Sequence, residues 1–109
     1  MNLIKIVYIC SPLQGDIERN ISQANGYCGF AATQGVVPLA PHTIFTQFLD
    51  DNIPEERTKG LKMGLELLKR CDELWVFGLK LSAGMIAEKE AAEQLDISIQ
   101  YYSDRCERR

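Results

Sequence analysis

The sequence predicts an α/β fold in three layers: a Rossmann- or flavodoxin-like, doubly wound parallel sheet of about four strands in the order 2-1-3-4. Three observations predict it. Apolar runs rich in Val, Ile and aromatic residues recur at 4–10, 36–40, 73–78 and 97–102. The segments between them carry apolar residues at helical spacing. Strands and helices that alternate strictly, joined by right-handed crossovers, build a parallel sheet. With 109 residues the chain suffices for one core, so a single domain over 1–109 is expected.

Taken in order, "IKIVYIC" (4–10) is a β-branched run closed by the turn signal "SPLQGD". Residues 16–34 space Ile17, Ile21, Ala24, Cys28 and Ala31 by 4, 3, 4 and 3, the stripe of an amphipathic helix, with Asp16 as N-cap and Gly35 as stop. "VVPLA" (36–40) is a short strand, and Pro38, which lacks an N–H, assigns it to a sheet edge. A loop with helical turns leads to a helix from Pro54 to Arg70, whose buried stripe is Leu61, Leu65 and Leu68. "ELWVFG" (73–78) is almost continuously apolar, as a central parallel strand should be. A helix opening at Ser82 and the strand "ISIQYY" (97–102) complete the series.

Composition narrows the class and the partners. At 46% hydrophobic and 25% charged residues the chain reads as a globular protein. A net charge of -3 argues against a nucleic-acid polymer, whose phosphates call for a basic face. The one basic concentration, "DRCERR" at 104–109, is broken by acids and reads as a frayed end. No apolar stretch approaches the roughly 18 residues of a membrane span, and "LIKIVYIC" is too short for a signal peptide. No membrane contact and a cytoplasmic location are therefore expected. Cys10, Cys28, Cys71 and Cys106 form no CxxC pair and do not cluster with His42, the single histidine. They read as reduced thiols, two or three of them small core residues, so neither a metal nor a cofactor is expected.

A sheet of this order binds ligands outside the carboxyl ends of its strands, where strands 1 and 3 diverge. Three segments meet there: "CSPLQGD", "APH" and "GLKLSAGM". None is a GxGxxG or Walker pattern. Ser82, Ala83 and Gly84 make a small-residue turn at a helix N-terminus, where free N–H groups and the dipole favour an anion; plain capping is the alternative. In the helix that follows, Gly84, Glu88, Ala91, Ala92 and Leu95 share one side, while Lys89, Glu90, Glu93 and Gln94 lie mostly on another. Glu88 is thus the one carboxylate directed inward, either functional or paired with a cation at the rim.

His42, after strand 2, reads as a ligand contact, an acid/base, or a structural or merely exposed loop residue. Cys10 ends the adjacent strand, which permits a Cys/His pair, but no hydrolase signature surrounds it. Tyr8, Trp75 and Phe77 read as core, with the Tyr8 hydroxyl able to reach the site. Phe45 and Phe48 either stack on a base or pack the loop down.

Together, "VYICSPLQGD", "VPLAPH", "CDELWVFG" and "SAGMIAEKEAA" resemble the nucleoside 2-deoxyribosyltransferase-like superfamily, which includes 2'-deoxynucleoside 5'-monophosphate N-glycosidases. Within it, the likeness is to short bacterial and phage proteins with an "SxGMxxE" segment, and it spans residues 4–102. The resemblance implies that the glutamate of a "GxxxE" segment attacks the anomeric carbon of the deoxyribose. Gly84 to Glu88 matches that spacing, so Glu88 is the implied nucleophile. The implied sugar and phosphate contacts are Ser11, Pro12, Leu13 and Gly15 after strand 1, and Ser82 and Gly84 before the glutamate. His42 and Gly78, at the same strand ends, complete the expected substrate set.

Three positions depart from the family. Gly64 stands where active relatives carry an aspartate, Gln14 where a basic residue is frequent, and Glu90 where a glycine is common. The resemblance implies an N-glycosidase or deoxyribosyltransferase acting on a small-molecule nucleoside or nucleotide, or a non-catalytic binder of such a ligand in the same cleft. A homo-oligomer is expected, since a four-stranded sheet on so short a chain leaves a shallow cleft and a modest core.

Overall fold

The computed structural model describes residues 4–109. The elements alternate as expected: β1 (Ile6–Cys10), α1 (Ile17–Thr33), β2 (Val37–Leu39), α2 (Pro41–Phe45), α3 (Pro54–Leu68), β3 (Glu73–Phe77), α4 (Ala83–Gln94) and β4 (Ser98–Tyr102). All strand pairs are parallel and the order is β2-β1-β3-β4. Pro38 pairs with Val7 on the edge strand, where its missing N–H breaks no second ladder.

Local chemistry sets the helix ends. Asp16 caps α1 by accepting from the Arg19 N–H at 3.2 Å, and Gly35, at φ +81°, turns the chain away after it. Pro54 opens α3, where its fixed φ suits a first-turn position. Ser82 caps α4, its Oγ accepting from the Met85 N–H at 3.3 Å.

The period-2 alternation of the central strands divides the interior in two. Val7, Ile9, Trp75 and Phe77 face α1 and form one cluster with Tyr27, Ala31 and Tyr102. Tyr8, Cys10, Leu74 and Val76 face the other way and pack with Leu68, Met85 and Ala92. Two helix stripes differ in detail from expectation. Leu61 is 42% exposed, because the first half of α3 stands over a cavity and not over the sheet; only Leu68 of that stripe is fully buried. In α4 the inward residues are Met85 and Ala92, while Leu95, at the helix end, is exposed.

The C-terminal segment is not a frayed end. It turns back at Ser103, whose N–H donates to the Glu107 carbonyl at 2.7 Å, and Tyr102 forms an antiparallel bridge with Arg108. The Arg109 N–H reaches the Tyr101 carbonyl at 2.9 Å. Free backbone groups on the outer edge of β4 recruit this return, which offsets the polar character that suggested disorder. Among the described residues no helix is long and apolar enough to cross a membrane.

Candidate functional site

The carboxyl ends of β1, β2 and β3 open into a cavity of about 240 Å³, roofed by α2 and the first half of α3 and closed on one side by the start of α4. Each wall follows from topology. The sheet order splits between β1 and β3, so the loops after those strands part and leave the gap.

Glu88 sits at the cavity wall, partly exposed to it. One carboxylate oxygen accepts a hydrogen bond from the Tyr8 hydroxyl. The other accepts from the Cys10 thiol at 3.5 Å. Burial among β1 and α4 pushes the Glu88 carboxyl up to about 7, against the opposing pull of these two donors. The same burial, with the Glu88 carboxylate beside them, holds the Tyr8 hydroxyl and the Cys10 thiol well above their ordinary values, so both stay protonated donors. No cation pairs with Glu88 among the described residues; the rim salt bridge left open by the sequence is not formed.

Gly64 explains how Tyr8 reaches this position. A Cβ at residue 64 would lie 3.0 Å from the Tyr8 hydroxyl, so the missing side chain is the space that the hydroxyl occupies. The side chain absent at Gly64 and the Tyr8–Glu88 hydrogen bond are therefore one steric arrangement.

Ser11, next after Cys10 and 6% exposed, also lines the cavity, with its Oγ 3.3 Å from His42 Nε2. Burial lowers His42 to about 4, with nearby Asp51 opposing, so the ring is neutral at pH 7. Gln14, exposed on the β1 loop, donates to Asp51 at 3.1 Å and ties that loop to the segment between α2 and α3.

Of the residues expected from the sequence, Ser11, Leu13, His42, Ser82, Gly84 and Glu88 line one cavity. Pro12, Gly15 and Gly78 lie outside its wall. Gly78 ends β3 at φ +99°, its N–H donating to the Tyr102 carbonyl. Phe45 lines the cavity and packs edge-on against Phe48 at 6.0 Å, whereas Phe48 itself is exposed. Sequence reasoning missed Asp51, Glu56, Arg57, Gly60 and Leu61, which also line it. Among the described residues, Arg57 is the only Lys or Arg in the wall. Nothing local marks these five, since their place depends on how α3 leans over the sheet. Among the described residues no group of three or more His, Cys, Asp or Glu is arranged to hold a metal ion.

The chain shares its fold with a 2-deoxyribosyltransferase from the psychrotolerant bacterium Bacillus psychrosaccharolyticus, at a TM-score of 0.68 and 21% identity. That match covers 90% of this chain and 72% of the other. A 2-desoxiribosyltransferase from Leishmania mexicana matches at a TM-score of 0.59 and 20% identity, over 91% of this chain and 64% of that protein. No curated protein matches the chain. Residues 5–102 match the family described as Domain of unknown function (DUF7768), and the chain belongs to that family.

Proposed function

We propose that the protein cleaves the N-glycosidic bond of a small nucleoside or nucleotide, as an N-glycosidase or deoxyribosyltransferase, with Glu88 as nucleophile. The observation that carries this reading is the placement of Glu88: a carboxylate at the cavity wall, with no cation paired to it among the described residues and a donor on each oxygen. The shared fold with two deoxyribosyltransferases supports it. In the reaction, a Glu88 oxygen attacks C1' and the C1'–N bond breaks with its electron pair leaving on the base. The base takes a proton from water. Attack on the glycosyl ester by water gives the free sugar, and attack by a second base gives transfer.

Ser11, His42, Ser82 and Gly84, which line the same cavity, would hold the sugar or a phosphate. Pro12 and Gly15, in the β1 loop, and Gly78, at the end of β3, would shape the turns that carry those contacts. Attack requires the anion, so activity should rise with pH through about 7, the value to which burial pushes Glu88.

The test is release of free base from a panel of deoxynucleosides and their monophosphates. Wild type should turn over at least one of them, and Glu88→Gln should lose about a thousandfold or more of that activity. Equal inactivity of both proteins across the panel removes the enzymatic reading. One observation favours a second reading, a non-catalytic binder using the same cavity: the Tyr8 hydroxyl fills the place where an acid at 64 would stand. Saturable binding by calorimetry without turnover selects it.

We also propose a homo-oligomer, joined near Phe48 and Ile53, which are 61% and 41% exposed beside the cavity roof. Light scattering that shows only monomer removes this part.

A further inference from the structure

The loop that leads from β3 into the cavity is attached to the fold at few points. Between Gly78 and Ser82, Leu79 is 79% exposed, and Leu79, Lys80 and Leu81 make no hydrogen bond among the described residues. Leu81 packs against the cluster of Tyr8, Cys10, Leu74 and Val76, and Ser82 caps α4. At the other end everything depends on Gly78. Its φ of +99° turns the chain out of the sheet, a conformation that leaves its carbonyl without a strand partner.

That carbonyl is taken by the guanidinium of Arg109, with Nη1 donating at 2.7 Å. The guanidinium arrives there on a rigid support. The tail is folded at Ser103, whose Oγ accepts from the Arg105 and Glu107 N–H groups at 3.2 Å each. It is bridged to β4 through Tyr102 and Arg108, and Arg108 donates to the Gln100 side chain. The Arg109 guanidinium also stands 6.0 Å from the centre of the Tyr101 ring, within range of a cation–π contact. A charged donor fixed in this way restrains a carbonyl better than water does, because its own freedom is already lost.

The geometry points to Arg109 as a positioning residue for the cavity: it holds the Gly78–Ser82 loop and thereby sets where the N-terminus of α4, with Ser82 and Gly84, meets a ligand. Arg109 touches neither the cavity nor Glu88, so the expected effect is on ligand binding and not on the bond-breaking step. The ligand measurement rests on the nucleoside reading above; the exchange measurement does not.

The experiment is amide hydrogen exchange on the whole chain, read at three protected N–H groups: Gly78, which donates to Tyr102, and Met85 and Ile86, which donate to Ser82. In Arg109→Ala, protection at these three should fall about fivefold, the factor for one hydrogen bond of ordinary strength, while Val76 within β3 is unchanged. Arg109→Lys, which keeps one donor, should restore protection to within about twofold of wild type. With a substrate in hand, Arg109→Ala should raise KM about fivefold and leave kcat within about twofold. Unchanged protection at the three amides overturns the inference, as does an equal loss at Val76, which would mark a global effect. If no nucleoside is turned over, the exchange result alone decides it.

Discussion

The two faces of the sheet are built from the same strands and do opposite things. On the α1 face, Tyr27 stacks on Phe77 at 4.3 Å and 9°, Phe77 on Tyr102 at 5.2 Å, and Phe30 closes the group edge-on at 5.3 Å from Tyr102. That face is sealed. On the α3/α4 face the same strands present Tyr8 and Cys10, whose polar atoms both point at Glu88. One residue along β1 moves from dry packing to a titratable cluster. The difference teaches that stability and chemistry are separated here by strand parity: the aromatic layer can hold the sheet while the other face carries a carboxyl that burial disfavours.

The strongest way to break the comparison is Phe77→Ala. Phe77 is fully buried and central to the aromatic layer, so its loss should cost about 3–5 kcal/mol, read as a fall in the urea midpoint. The Glu88 titration should move little as long as the chain stays folded. A large shift at Glu88 would show the two faces to be coupled.

Glu88→Gln should do the reverse and stabilise. The Glu88 carboxyl is raised on folding, so its contribution is fully present below the ordinary value of 4.5 and is lost as pH rises through about 7. At pH 8 the variant should therefore exceed wild type by on the order of 2 kcal/mol, and by little at pH 4. Thermal melts of both proteins across that range check it.

His42 runs in the opposite sense. Burial holds it at about 4, below the ordinary 6.5, so its contribution is present above 6.5 and lost as pH falls through 4. His42→Gln should flatten the acid limb of the stability profile, by about 1–2 kcal/mol at pH 4.

Gly64→Ala should change stability least, within about 1 kcal/mol, because helix propensity gains what the 3.0 Å approach to Tyr8 loses. The displaced hydroxyl no longer donates to Glu88, and the Glu88 midpoint should rise in an NMR titration.

Much of the fold was legible because it depends on local rules. Strand runs, the caps at Asp16 and Ser82, the first-turn Pro54 and the edge position of Pro38 each follow from near neighbours. The inward direction of Glu88 followed from helical phase, since Glu90 and Glu93 are exposed. What phase could not give was the partner. That Tyr8 and Cys10 meet Glu88 depends on how closely α4 packs on β1, and that the hydroxyl fits depends on an absent side chain in a third element.

The tail shows the same limit from the other direction. Its charges suggested disorder, yet the unpaired edge of β4 orders it. Leu61 completed a sound apolar stripe on paper, but α3 carries it out over the cavity with Arg57 and Gly60.

The sequence by itself determined the order of elements, the parallel sheet and the one glutamate turned inward, because hydrophobic period and capping act over a few residues. Only the tertiary structure decided which groups surround that glutamate, where its proton stays and what closes the cavity, because those depend on distances between elements that no local pattern encodes.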